Sequence, residues 1–444
     1  MKIPHRSRPP GRLRRRRSIA LGAVGVLATT LLAACGSSGK PVLNWYVNPD
    51  GVDTLTKLAE QCSTDDYDIE VQLLPSGATD QRTQLARRLA AEDSSTDLMS
   101  LDPVFVPEFA NAGWLEKLPD DAATKALDGV LEGPADTVQW EDSVYAFPQW
   151  ANTQVLWYRK SLAEAAGLDM SKPVTWDQVI DAASENDGTV GVQANKYEAY
   201  VAWINAMILG AGGDIVSDTE AGKDAKVDID SQAAADAAAI IKKLADSPAA
   251  QPDLSVSNEG TSLGQMFPPD DATRKAGEFM VNWTFVYKNY EPGEDKPTTK
   301  EQFDDLGWAR YPQTVEGEPS RPPVGGIDIG VGAFSKHTDW ALEAAACVTT
   351  PDAQTQLAVT DGLMPAREDA YSDKALTDAY PQDLLDLFQE SLKDGGVRPK
   401  SAYYALISQA IQSRWHDPTS VDPDTTPGES AKFLQDVLDG KALL

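Results

Sequence analysis

Seven polar side chains, Asn48, Asp50, Gln81, Asp102, Asn152, Glu259 and Asn282, fall at or near the ends of predicted elements. Their amides and carboxyls supply directional hydrogen bonds to hydroxyl groups. Four aromatics, Trp150, Trp283, Tyr403 and Tyr404, fall in similar positions. An aromatic face packs on apolar C–H surface and leaves neighbouring hydroxyls free to bond. Together the two sets suit a polyhydroxylated small molecule that is held rather than transformed. For any single Trp a place in the core is the simpler explanation; the set carries the reading.

Catalytic patterns find less support. The chain has three histidines, His5, His337 and His416, and none has a partner at metal-ligand spacing. Gly260-Thr261-Ser262-Leu263-Gly264 has the spacing of a nucleophile elbow, but an elbow follows a buried strand and residues 253–259 are polar. A helix start with Ser262 near its cap is the better reading. Leu209-Gly210-Ala211-Gly212-Gly213 follows a predicted helix, which argues against a phosphate loop. The Asn282 sequon reads as the end of a buried strand. Two cleft carboxyls could still serve as the acid and base of a lipid-anchored glycosidase, which is one alternative; a binding protein for a non-sugar solute such as a glycerophosphodiester is the other. The expectation is no enzyme, no metal and no cofactor.

The elements that must position these groups follow from the pattern. Arg14 to Arg17 precede an apolar run ending in Leu32-Ala33-Ala34-Cys35, followed by Gly36-Ser37-Ser38-Gly39. That order marks residues 1–34 as a signal peptide, and the apolar run is short for a membrane span. Residues 35–40 read as a tether whose Cys35 thiol can carry lipid. Removing residues 1–34 takes away eight cations and no acid, so the net charge falls from −29 to −37. So acidic a surface repels nucleic acid and anionic headgroups. Two cysteines then remain, Cys62 and Cys347. Outside the cell they suggest one disulfide, the alternative being two separately buried thiols.

The region after the tether alternates strand and helix. Strands are expected at 42–47, 69–73 and 98–101, and helices at 53–62 and 80–92, an α/β arrangement with a parallel sheet. Ligands of such sheets sit beyond the carboxyl ends of the strands, where Asn48, Asp50, Gln81 and Asp102 fall. Short strands at 144–147 and 155–158 bracket Pro148-Gln149-Trp150-Ala151-Asn152, read as a crossing into a second domain. Helices at 197–209 and 232–245, a strand at 279–283, and strands at 307–311 and 328–333 running back to the first domain complete the frame. The tail beyond 352 is expected to be mostly helical. A chain that crosses more than once makes a hinged pair with a cleft between its halves.

Several motifs carry a resemblance: Tyr145-Ala146-Phe147-Pro148 running into Leu156-Trp157-Tyr158-Arg159-Lys160, then Lys275-Ala276-Gly277-Glu278-Phe279-Met280-Val281-Asn282-Trp283, and Val324-Gly325-Gly326-Ile327-Asp328-Ile329. With Asp80-Gln81-Arg82, Leu98-Met99-Ser100-Leu101-Asp102, Val192-Gln193-Ala194-Asn195 and Val397-Arg398-Pro399, the chain resembles the solute-binding proteins of ABC carbohydrate importers. Within these family 1 extracellular sugar-binding proteins it is most similar to the actinobacterial trehalose-binding lipoproteins. The resemblance implies a two-lobed periplasmic-binding-protein-like fold of type II with a central cleft. The implied lobes are residues 41–150 with 313–349, and 151–312 with 350–444. It places ligand contacts on Asn48, Gln81, Asp102, Asn152, Glu259, Trp283, Gly326, Ile327 and Arg398, to which the strand-end position adds Asp50, and gives Cys62 and Cys347 counterparts. The implied partners are a small carbohydrate and permease subunits, with the membrane reached through lipid on Cys35 outside the cytoplasm. The chain is expected to be a monomer that binds no nucleic acid.

Overall fold

The computed structural model describes residues 39–268, 272, 274–293 and 296–444. The signal segment and Cys35 lie outside the described residues, and so do Pro269, Asp270 and Asp271 of the loop before β6 (below). Residues from Lys40 to Leu444 form a single compact unit. No helix among the described residues is long and apolar enough to cross a membrane.

Its centre is an eight-stranded sheet. The strands are β1 (Val42–Val47), β2 (Asp68–Leu73), β3 (Leu98–Leu101), β4 (Ala146–Arg159), β5 (Thr189–Gly191), β6 (Glu278–Trp283), β7 (Leu306–Ala309) and β8 (Val324–Val331). Their order is β2-β1-β3-β8-β4-β6-β5, with β7 also on β4. The β1, β2 and β3 pairings are parallel, as the strand–helix alternation predicts. The crossover helices α1 (Val52–Cys62) and α2 (Ala78–Ala90) present Leu55, Leu58, Leu85 and Leu89 inward at three- and four-residue spacing.

The two short strands expected at 144–147 and 155–158 are one strand. Residues 146–159 form one continuous strand, almost wholly buried, whose two halves have different neighbours. Residues 146–153 pair with β8, and residues 154–159 pair with β6 and β7. Local sequence shows Pro and Asn as turn signals, but Pro148 is tolerated because the β4–β8 register shifts beside it, between Ile327 and Asp328. The strand at 306–309 was expected to run back to the first domain; it stays on the far half of β4 instead.

The hydrophobic side chains gather into separate cores. One holds Leu43, Trp45, Leu55, Phe147, Trp150, Ile327, Ile329 and Ala344. Another holds Leu156, Trp176, Trp203, Ile241, Phe279 and Trp415. The helix Pro351–Asp361 gives Ala353 and Leu357 to the first core and Ala358 to a third. Cys62 and Cys347 form the disulfide that cysteine counting suggested, joining the last turns of α1 and of the helix Thr338–Val348 across 285 positions.

One buried group is at odds with its surroundings. Glu278, the first residue of β6, is wholly buried, and no side chain among the described residues bonds its carboxyl. Burial pushes its carboxyl well above the usual range and the negative charge of Asp253 adds to this, outweighing the Met266 backbone N–H. The folded protein therefore holds a proton there that the unfolded chain has released above pH ~4.3. Its contribution to stability is full below that pH and is lost as pH rises towards the folded value, at about 1.4 kcal/mol per pH unit. Thermal melts between pH 5 and 9 should show this decline in the native protein and a flatter profile in Glu278→Gln. Identical profiles would mean that Glu278 does not take up this proton.

Candidate functional site

The carboxyl ends of β1 and β3 bring Asn48, Asp50 and Asp102 to one edge of the sheet. Asn48 is buried; its amide donates to Asp50 at 2.7 Å, and its Oδ1 has no partner among the described residues. Asp102 follows β3 directly. Because β8 is antiparallel and Asp328 lies opposite Leu101, residues 324–327 continue beyond the end of β3 and pair with β4 there. The β8 backbone at Gly326 and Ile327 therefore runs alongside Asp102 with its β3 side unladdered.

Gly326 makes that path possible. It has φ 141°, and a Cβ there would lie 2.1 Å from the Trp150 carbonyl oxygen. Only glycine permits so close a strand approach. Ile327 faces the core with its side chain 5% exposed, so it can offer a ligand only its backbone.

Trp283 ends β6 opposite Gln154, half-buried. A methyl placed on Gly325 would lie 3.4 Å from the Trp283 ring and 3.8 Å from Arg398 Nη2. Trp283 and Arg398 therefore converge over the start of β8. Arg398 sits on an irregular strap. The Gly396 N–H donates to Pro322 O at 2.8 Å, the Val324 N–H donates to Gly396 O at 3.2 Å, and the Asn205 amide donates to Val397 O at 3.2 Å. A Cβ on Gly396 would lie 2.4 Å from the tip of the Leu209 side chain, which a larger residue here would displace.

The Arg398 guanidinium is buried among acids. Nη2 donates to Asp102 Oδ1 at 2.8 Å, Nη1 donates to Asp102 Oδ2 at 3.3 Å and to Glu198 Oε1 at 2.8 Å, and Nε has no partner among the described residues. Burial alone would lower its affinity for the proton; Asp102, Tyr404 and Glu198 more than reverse that, so it stays charged. The Asp102 pair is a two-pronged fork, the geometry in which arginine is strongest.

Glu259 closes another side. It opens the helical turn Glu259–Ser262, which Asn258 caps by accepting from the Thr261 N–H at 2.9 Å. That settles the nucleophile-elbow spacing as a capped helix start. Tyr197 OH donates to Glu259 Oε2 at 2.8 Å, and the Trp283 ring N–H lies against the same carboxyl. Burial raises this carboxyl, with Asp50 adding like charge, while those two donors oppose the rise. Asn152 Oδ1 accepts from Thr284 Oγ1 at 3.3 Å, just past Trp283.

Some expected members play other parts. Gln81 is buried and spends its amide on Pro75 O at 2.9 Å and Ser76 O at 3.4 Å, holding the loop before α2. Asn282 is buried and bonds Glu259 O at 3.1 Å and Ser262 Oγ at 3.0 Å, so it positions Glu259. Trp150 and Tyr404 are core residues, 2% and 0% exposed. Glu198 and Tyr197 are members to which the sequence pattern gives no site role. Glu198 did leave a signal: it is the one charged residue of the largely apolar helix α3 (Glu198–Gly210), and a buried acid needs a partner.

The first 40-odd residues aside, most of the chain has relatives. Residues 48–355 match the family described as bacterial extracellular solute-binding protein. A mannitol-binding protein of Pseudomonas aeruginosa is 30% identical over 103 residues, 23% of this chain and 24% of that protein, so the chain spans about a quarter of its length. The diacetylchitobiose-binding protein DasA of Streptomyces coelicolor is 22% identical over 291 residues, 63% of this chain and 62% of that one. Among solved structures, maltose-bound MalE3 of T. maritima superimposes with a TM-score of 0.77 at 23% identity, covering 90% of this chain and all of the other, a likeness of fold.

Proposed function

The chain belongs to the bacterial extracellular solute-binding protein family, and from that premise we propose that it captures a small neutral carbohydrate or polyol and hands it to an ABC transporter permease. Its family is one of binding proteins, so capture rather than catalysis is its activity. The observation that carries the ligand class is the meeting of the Trp283 ring with an arginine whose charge is already neutralised by Asp102 and Glu198. An aromatic face with neutralised charge suits a ring rich in hydroxyls and offers little to an anion. The partnerless Asn48 Oδ1 and Arg398 Nε add an acceptor and a donor, and a hydroxyl can satisfy either. Mannitol, diacetylchitobiose and maltose, the solutes named for the relatives above, belong to this chemical class.

Within the class the reading is trehalose or a related α-linked disaccharide. Trp283 stacks on one ring, Asp102, Asn152 and Glu259 read hydroxyls, and Gly326 and Ile327 offer backbone groups. Gln81 contributes through the loop it holds, and Asp50 through Asn48. Residues 41–150 with 313–349 and residues 151–312 with 350–444 act as two lobes that close on the sugar; the separate cores on the two halves of β4 support the division, and Ala353 and Leu357, which pack into the first core, cross it. Closure is driven by the ligand's greater affinity for the closed form. Cleavage before Cys35 and lipid on its thiol would tie a monomer to the outer membrane face; the Leu-Ala-Ala-Cys sequence supports this.

Isothermal titration of the protein beginning at Gly36 against trehalose, maltose, sucrose, glucose, mannitol and glycerophosphocholine tests the reading. Stoichiometric micromolar binding of trehalose, with a weak response to maltose, is the expected result. Binding of a different sugar or polyol retires trehalose and keeps the class. Binding of glycerophosphocholine alone overturns the class.

A further inference from the structure

Behind the Arg398 fork lies a carboxylate that faces no ligand. Glu198 is 5% exposed, and all its bonds run to protein donors: Arg398 Nη1 at 2.8 Å, Ser408 Oγ at 2.6 Å and the Tyr404 hydroxyl. Ser408 and Tyr404 lie one helical turn apart on α4 (Tyr404–Trp415), so one helix face supplies both. Glu198 itself is the first residue of α3, where the helix N-terminus favours negative charge. The Tyr404 ring also lies 5.9 Å from the Arg398 guanidinium carbon. The guanidinium is thus gripped from one side by α3 and α4, and its other edge is directed at Asp102, 296 positions away in sequence.

A buried acid is costly unless it does something for its partner. Without Glu198, Arg398 would keep its attraction to Asp102 but lose the contact that sets its angle. A guanidinium holds a two-pronged bond only when it lies in the plane of the facing carboxylate.

We propose that Glu198 is the positioning residue of this site: braced by Tyr404 and Ser408, it fixes the Arg398 fork in the orientation that bridges to Asp102, and the ligand senses Glu198 only through that bridge. This rests on the sugar- or polyol-binding reading for its affinity arm; the bridge itself does not depend on it.

Two double-mutant cycles test the proposal. In the first, without ligand, urea denaturation measures the coupling between Arg398 and Asp102 from Arg398→Ala, Asp102→Ala and the double variant. The same cycle is then repeated in a Glu198→Gln background. Glu198→Gln keeps the shape and an acceptor oxygen, so the fold survives. The expected result is a coupling at least halved by Glu198→Gln; an unchanged coupling overturns the proposal and leaves Glu198 a mere packing group. In the second cycle, titration with the best ligand of the panel should show Glu198→Gln weakening binding about tenfold in the native background and less than twofold in Arg398→Ala. Equal losses in both backgrounds also overturn it. If the native protein binds no member of the panel, the functional reading fails, and the ligand-free cycle still decides the role of Glu198.

Discussion

Trp283→Ala weakens sugar binding at least tenfold, about 1.4 kcal/mol, while the melting temperature moves little. The ring stands at the exposed end of β6, half-buried rather than packed in a core, so truncation opens no closed cavity. Two contributions disappear together. The flat face over Gly325 is lost, and with it the apolar contact that a pyranose C–H face would make. The ring N–H beside Glu259 is also lost, leaving the Tyr197 hydroxyl and the residue's own backbone N–H to orient that carboxyl. Trp283→Phe separates the two: it restores a face but no donor, and should recover part of the affinity. Titration calorimetry against the preferred sugar, with a melt of each variant, reads both. An unchanged dissociation constant in Trp283→Ala would remove this residue from the site and with it the convergence on which the functional reading rests.

Loss of the Cys62–Cys347 bridge is expected to lower stability by roughly 2–5 kcal/mol, because the cross-link closes a very long loop and so removes many conformations from the unfolded chain. Cys62→Ser with Cys347→Ser, or reduction of the native protein, should therefore shift the urea midpoint downward. Ligand affinity should stay within twofold. The reason is directional: α1 begins beside the binding edge and runs back along the sheet, so its last residue, Cys62, ends roughly 16 Å away at 1.5 Å per residue. A midpoint unaffected by reduction would show that the unfolded chain gains nothing from being released. A large loss of affinity would mean that the bridge holds the binding edge in place.

The first part of the fold was legible because it is local. Period-two and period-four apolar spacing in residues 42–101 sets the alternation of β1 to β3 with α1 and α2, and parallel strands put their carboxyl ends together. That rule alone places Asn48, Asp50 and Asp102 at one edge. Pro148 misled the reading, since a proline within an apolar stretch reads as a break, whereas a register shift in the neighbouring strand absorbs it. Gln81 and Asn282 misled it differently: an amide near an edge looks free in sequence, and only the folded loop shows that its bonds are spent.

What the sequence by itself determined is the set of elements, the acidic surface, the one pair of cysteines left after the tether and the chemical character of the site. Those depend on residue type and on spacings shorter than a helix or a strand. What the tertiary structure decided is which groups meet: Arg398 with Asp102 and Glu198, Tyr197 with Glu259, and Trp283 with Gly325. Those contacts span 42 to 296 positions. They form because strand order brings the start of β8 alongside the ends of β3 and β6, a consequence of how whole strands pair, which no local pattern encodes.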